Sequence, residues 1–359
     1  MRETSRREWL EELLTGMRDG RKASLARAIS IVENHRPAFD LLLAELHPRI
    51  GRARRIGITG PPGAGKSTLT ARLARAYRES GLTVGIVCVD PTSPFTGGAL
   101  LGDRIRMEDI ALDPGVYIRS LATRGSLGGL SAATRETCDV LDAFGIDRIL
   151  IETVGVGQSE LDVARTADTS VVVLVPESGD SIQTLKAGLM EIADIFTVNK
   201  ADRPGADRLR NELEIMLGMR PGATATDGAA HHGVDLSRNN LARQVREASK
   251  AEGDRWTPPV LRTVAAEGEG VAELRDAIDR HFHYLETSGG LRERRRARLR
   301  ERVVDVVEEK IRRRLWADAA TTAWLDARLP ELETGVATPF GIADALLARS
   351  TDLLTGRTS

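Results

Sequence analysis

The chain has 359 residues, a formal net charge of −1 and 41% hydrophobic residues. That allows two or three domains with buried cores and lacks the positive footprint of a dedicated nucleic-acid binder. Aromatic residues make up only 4%, leaving few base-stacking surfaces, and the two cysteines, Cys88 and Cys138, support neither a disulfide framework nor a thiolate-rich metal site.

In chain order, Leu10, Leu13, Leu14 and Met17 recur at helical spacing, and residues 38–46 repeat the pattern after Pro37. Residues 1–50 are therefore expected to form a helical N-terminal extension. Their first twelve residues are charged and contain no apolar signal core, so a cytoplasmic protein is expected, or one already freed of a targeting segment. The apolar run at 171–175 is far shorter than the ~20 residues a membrane span needs.

Residues 51–285 alternate short apolar runs with helical patterns. Strands are predicted at 55–59, 84–90, 116–119, 148–152, 170–175, 195–198 and 260–265. Most are β-branched and apolar on both faces, as strands of a covered parallel sheet should be. An α/β domain with a doubly wound, mostly parallel sheet follows, its ligand beyond the carboxyl ends of the strands. Residues 218–237, rich in Gly, Ala, Thr and His, are expected as an exposed loop.

Residues 286–359 form a helical arm. Gly289 and Gly290 break the pattern. A charged helix follows with Val303, Val307, Ile311 and Leu315 on one stripe, then a helix at 319–328 and another after Pro339. Six arginines at 292–300 interleave with Glu293, Glu301, Asp305, Glu308 and Glu309. That pattern describes a solvated, salt-bridged face better than a nucleic-acid surface.

Gly60-Pro61-Pro62-Gly63-Ala64-Gly65-Lys66-Ser67 fits G-x-x-x-x-G-K-[ST] and continues into Thr68. A predicted strand precedes it, and a helix at 66–79 follows. Gly63 and Gly65 let successive backbone N–H groups turn toward one anion, and the helix N-terminus adds its positive end. In such a P-loop, Lys66 reaches the β- and γ-phosphates and Ser67 ligates Mg²⁺.

Asn199-Lys200-Ala201-Asp202 closes the strand at 195–198. Asp202 would accept from guanine's ring N–H and exocyclic amine; adenine would leave that carboxylate unpaired. Asn199 would tie this loop to the P-loop, and Lys200 would lie along the base. In the loop at 264–268, a backbone N–H of Ala265 or Ala266 is a candidate donor to the guanine carbonyl; a plain strand-to-helix turn explains the segment as well.

Asp90, Asp103 and Glu152 are candidate Mg²⁺ ligands, direct or through water. Glu152 with Gly155 reads as D-x-x-G with Glu for Asp, and the Gly155 N–H would sense the γ-phosphate. Arg104 and Arg106 either touch phosphate or pair with nearby acids. Gln158 either orients water or is an ordinary loop residue.

The segments DPTSPFTGGALLGDRIRM at 90–107 and IETVGVGQSE at 151–160 resemble the MeaB/ArgK-type GTPases, a branch of the G3E GTPases, over nearly the whole chain. The resemblance implies a GTPase using GTP, GDP and Mg²⁺. It implies a homodimer formed through the C-terminal arm. It also implies a partner, an adenosylcobalamin-dependent acyl-CoA mutase of the methylmalonyl-CoA mutase type, with a cobalamin adenosyltransferase as a further candidate. GTP binding and hydrolysis would gate cofactor delivery and protect the mutase. Residues 60–68 would be the P-loop, Asp90 and Asp103 would lie in switch I and 152–158 would be switch II. Residues 177–188 match the third switch, in which Asp180 and Lys186 are candidates to couple nucleotide and partner. Asn199, Lys200 and Asp202 would hold guanine.

Two alternatives stand beside this. A nickel-inserting GTPase would need metal ligands, for which His231-His232 is the only adjacent pair. An ATP-dependent kinase of amino-acid transport proteins is disfavoured by the guanine-selecting Asn199-Lys200-Ala201-Asp202.

Overall fold

Strands apolar on both sides are stable only when helices cover both faces of their sheet. A computed structural model describes residues 3–91, 107–123, 132–153, 159–176, 187–218 and 256–350. Seven strands form one sheet: β1 (Arg54–Thr59), β2 (Val84–Pro91), β3 (Val116–Thr123), β4 (Arg148–Thr153), β5 (Thr169–Leu174), β6 (Ile195–Asn199) and β7 (Val260–Thr263). Their order is β3-β2-β4-β1-β5-β6-β7, and every pairing is parallel. β1 stands at the centre, so the chain winds to one side of it and then to the other, the doubly wound arrangement expected from the sequence.

The described helices are α1 (Glu3–Arg18), α2 (Lys22–Glu33), α3 (Phe39–Leu46), α4 (Lys66–Glu79), α5 (Glu108–Ala111), α6 (Ala132–Phe144), α7 (Ser159–Thr166), α8 (Ala187–Ile192), α9 (Ala206–Met216), α10 (Val271–Thr287), α11 (Gly290–Ala317), α12 (Ala319–Asp326), α13 (Leu329–Glu333) and α14 (Pro339–Arg349). Alternation along the strands divides the core in two. Val87, Val89, Ile149 and Ile151 face a layer containing Leu141 of α6, Val163 of α7 and the expected Leu10, Leu13, Leu14 and Met17 of α1. Ile56, Ile58, Ile86, Leu150 and Val171 face Leu69 and Leu73 of α4 and Leu274 and Ile278 of α10. A smaller cluster joins Phe196 and Val198 of β6 to Leu209 and Leu213 of α9. Helices α1–α3 thus share a core with the sheet rather than closing one of their own.

The chain divides into two units, Met1–Leu291 and Arg292–Ser359. In the second, α12 is capped by Asp318, which accepts from the Thr321 N–H at 3.0 Å, and α14 by Thr338, which accepts from the Gly341 N–H at 3.2 Å. Leu315 is buried there, whereas Val303, Val307 and Ile311 of the expected stripe are 63%, 48% and 41% exposed. The short α13 was not anticipated; Pro330 within its first turn is tolerated because its missing N–H would have no intrahelical partner. The strand expected to run to residue 265 stops at Thr263, because the Val264 N–H turns to the Glu269 carbonyl at 3.0 Å. No described helix is long and apolar enough to cross a membrane.

The entry to β1 is fixed by one carboxylate. Asp142 of α6 accepts from the backbone N–H groups of Gly51, Arg52 and Ala53 at 2.7, 3.0 and 3.0 Å. Arg55, at the start of β1, pairs with Asp139 at 2.7 Å and lies 3.4 Å from Asp142. Asp142→Ala removes the carboxylate that these three backbone N–H groups share. It is expected to cost roughly 3–4 kcal/mol in urea unfolding, more than a neutral side-chain deletion in the same helix.

Candidate functional site

Where a parallel strand feeds a helix through glycines, backbone N–H groups are turned toward one point. β1 ends at Thr59, and Gly60 passes so close to β5 that a Cβ there would lie 2.1 Å from the Val173 carbonyl oxygen. Gly60, Gly63 and Gly65 have φ of +141°, +74° and +83°, values that glycine adopts without strain. The loop carries Pro61, Pro62 and Ala64 around to Lys66, the first residue of α4. The Lys66 ammonium, buried in the loop, donates to the carbonyls of Gly60 at 2.8 Å and Pro61 at 2.9 Å. Ser67 and half-buried Thr68 follow in the first turn.

β4 brings an acid to this turn. The Ser67 hydroxyl donates to Glu152 Oε1 at 2.6 Å, and both side chains are buried. A hydroxyl and a carboxylate at one point are hard oxygen donors of the kind Mg²⁺ takes, so this pair fits that ion. The next residue, Thr153, donates to Thr59 Oγ1 at 3.0 Å and pins the ends of β4 and β1 together. Asp90 lies near the end of β2, opposite Ala122 of β3.

β6 delivers Asn199. Its Nδ2 donates to the Ala64 carbonyl in the P-loop at 2.8 Å. Its Oδ1 accepts from the Thr263 hydroxyl at 3.1 Å and from the Ala265 N–H at 3.0 Å. One buried amide thus joins the ends of β1, β6 and β7. A Cβ on Gly65 would stand 2.4 Å from Asn199 Nδ2, so this approach also needs glycine. Lys200 follows with φ +55°, turning the chain sharply, and Asp202 is exposed beyond it. Ala265 is buried and Ala266 exposed, in the turn after β7.

The structure therefore brings together Gly60, Gly63, Ala64, Gly65, Lys66, Ser67, Thr68, Glu152, Asn199, Lys200, Asp202, Ala265 and Ala266 along one end of the sheet. Asp103, Arg104, Arg106, Gly155, Gln158, Asp180, Lys186, His231 and His232 lie outside the described residues, as does the Asp90 side chain. Among the described residues, no three His, Cys, Asp or Glu side chains stand together as a metal centre. Two arginines were missed in the sequence. Arg72 of α4 donates to the carbonyls of Ala265 and Ala266, and Arg262 of β7 to that of Ala201. In sequence each is one more cation on an arginine-rich chain, and no local pattern marks its distant partners.

Asn199→Asp keeps the acceptor facing Ala265 but sets a carboxylate oxygen against the Ala64 carbonyl. A loss of about 2–4 kcal/mol in chemical unfolding is expected, against a much smaller change for a surface Asn→Asp exchange.

The family model for the methylmalonyl-CoA mutase-associated GTPase MeaB matches residues 25–320. A Mycobacterium tuberculosis relative named as a probable GTPase is 40% identical over 313 residues, covering 86% of this chain and 85% of that one. GTPase ArgK of Escherichia coli is 34% identical over 313 residues, 86% of this chain and 87% of that one. The mouse mitochondrial methylmalonic aciduria type A homolog is 30% identical over 353 residues, 94% of this chain and 79% of its own. Among solved structures, one described as a LAO/AO transport system kinase superposes with a TM-score of 0.65 at 27% identity, covering 96% of this chain and 97% of that one. The chain belongs to the MeaB family of P-loop GTPases.

Proposed function

We propose that the protein binds and hydrolyses GTP with Mg²⁺ and serves an adenosylcobalamin-dependent acyl-CoA mutase of the methylmalonyl-CoA mutase type. In this reading it gates cofactor delivery and protects the mutase, with a cobalamin adenosyltransferase as a further partner. Residues 51–285 would be the GTPase domain and 286–359 the arm through which two copies pair in the cytoplasm. The observation that carries the nucleotide part is the Asn199 amide, held at 2.8 Å to the Ala64 carbonyl. It sets the guanine-type loop at a fixed distance from the phosphate-type loop, as recognition of base and phosphates by one molecule requires. The mutase part is supported by the family description and by the likeness to the methylmalonic aciduria type A homolog. The exposed Val303, Val307 and Ile311 support the pairing of arms, because a second copy would cover them.

The chemistry follows from the side chains. The P-loop N–H groups and the helix N-terminus would receive the β-phosphate, and Lys66 would hold the γ-phosphoryl charge as it develops. Ser67 and Glu152, with Asp90 and Asp103, would hold Mg²⁺, which when bound neutralises charge on the phosphate oxygens. Asp202 and a backbone N–H of the turn after β7 would read the base, with Lys200 along its face. Gly155 and Gln158 would respond to the γ-phosphate and the attacking water. The segment 177–188 would pass the change to the partner, with Asp180 and Lys186 as the coupling residues.

GTP and GDP should bind at least about a hundredfold more tightly than ATP in calorimetry, because adenine leaves Asp202 unpaired. Asp202→Asn should shift preference toward xanthine nucleotides, and Lys66→Ala should abolish useful turnover; equal affinity of the parent for GTP and ATP would sink the guanine assignment.

Turnover by the isolated protein should be slow, about 10⁻⁴ to 10⁻² s⁻¹ as in unassisted P-loop GTPases. Added methylmalonyl-CoA mutase should change it, and Asp180→Ala or Lys186→Ala should blunt the response. A rate indifferent to the mutase removes the partner assignment.

A further inference from the structure

Three arginines project from the P-loop helix α4, and two of them meet acids: Arg78 pairs with Asp113 at 2.9 Å and Arg75 approaches Asp109 at 3.9 Å. Arg72 is different. Its guanidinium donates through Nε to the Ala265 carbonyl at 3.2 Å and through Nη2 to the Ala266 carbonyl at 2.5 Å. Both acceptors are backbone groups of the turn after β7, reached across 193 and 194 residues of chain.

The donors of that turn can be followed one by one. The Ala265 N–H goes to Asn199 Oδ1 at 3.0 Å. The Glu267 and Gly268 N–H groups both go to the Val264 carbonyl, at 2.9 and 3.0 Å. The Ala266 N–H alone in this run has no partner among the described residues. The described chain contains no cis peptide, and a trans peptide holds its carbonyl and N–H on opposite edges. Drawing the Ala265 carbonyl onto Arg72 therefore turns the Ala266 N–H away from α4. The turn also borders the 199–202 loop, because the Ala201 N–H donates to the Thr263 carbonyl at 3.1 Å. The free donor and the exposed Asp202 thus belong to neighbouring strand ends.

We propose that Arg72 is a positioning residue for base recognition. By holding two carbonyls of the turn on the P-loop helix, it aims the Ala266 N–H at the 6-carbonyl of the base. This deepens the guanine reading above and rests on it. A planar fork suits two adjacent carbonyls, whereas lysine's point charge meets them one at a time. Because α4 begins at Lys66, the phosphate cradle and the base donor become parts of one rigid piece.

The test uses the full-length protein with Mg²⁺ and two probes, GDP and 6-thioguanosine 5′-diphosphate, which keeps the ring N–H and the exocyclic amine and replaces the 6-carbonyl oxygen with sulfur, a weak acceptor, with ADP as the control for the base. Arg72→Ala should weaken GDP about tenfold, the scale of one neutral hydrogen bond. It should weaken the analogue less than about twofold, so the ratio of the two affinities falls. Arg72→Lys should recover part of the ratio, and it keeps the test open if the alanine variant folds poorly. Equal weakening of both probes would show only structural support and overturn the proposal, as would no change in either. A parent that binds GDP no better than ADP overturns the guanine reading itself. A parent that prefers GDP, with an unchanged probe ratio in Arg72→Ala, overturns only the role of Arg72.

Discussion

The arrangement of this molecule hangs on one buried amide. Asn199 donates to the P-loop at Ala64 and accepts from Thr263 and Ala265, so three strand ends share a single side chain. Only an amide offers a donor and an acceptor on one planar group of this size. Leucine would match its volume and satisfy neither loop; aspartate would satisfy one and repel the other. The bond to Ala64 also explains why Gly65 has no side chain, since the two groups occupy the same space.

The rest of the site consists of polar exceptions at the edge of an apolar sheet. β5 is buried along its whole length, and buried polar side chains gather at the carboxyl ends of β1, β4 and β6: Thr59, Glu152, Thr153 and Asn199. Each of these has a stated partner: Thr153 meets Thr59, Glu152 meets Ser67, and Asn199 meets the P-loop. Buried polar groups cost stability unless they are bonded, and here the bonding draws the strand ends into one constellation. Position and chemistry are therefore set by the same contacts.

The two ends of the chain meet the physics differently. Helices α1–α3 bury Leu14, Met17, Ile29 and Leu42 in the core beside the sheet, and Lys22 reaches across to the Val116 carbonyl at 3.1 Å. They therefore brace the β2–β3 side of the sheet. The long α11 buries Leu315 and leaves Val303, Val307 and Ile311 in solvent. Exposed apolar side chains add little packing energy to such a helix among the described residues.

Much of this was legible in the sequence where the physics is local. The glycines and lysine of residues 60–67 act within a single turn, short β-branched apolar runs mark most of the strands, and the Asn199-Lys200-Ala201-Asp202 loop carries its chemistry in four adjacent residues. Helical spacing identified the buried face of α1. The strand order, the sharing of one core by α1–α3 and the sheet, and the end of β7 at Thr263 were not legible in this way. Nor was the grip of Arg72 on a turn 193 residues away, whereas the meeting of Ser67 with Glu152 follows the shared metal role read from the sequence. An arginine that holds carbonyls and one that lies in water look alike in sequence, because what separates them is a partner brought near only by the closed sheet. The sequence by itself determined which chemical groups the protein has and the local shapes they favour. The tertiary structure decided the meetings that no motif carries, such as that of Arg72 with the turn after β7, because contacts between distant segments depend on strand order and helix packing.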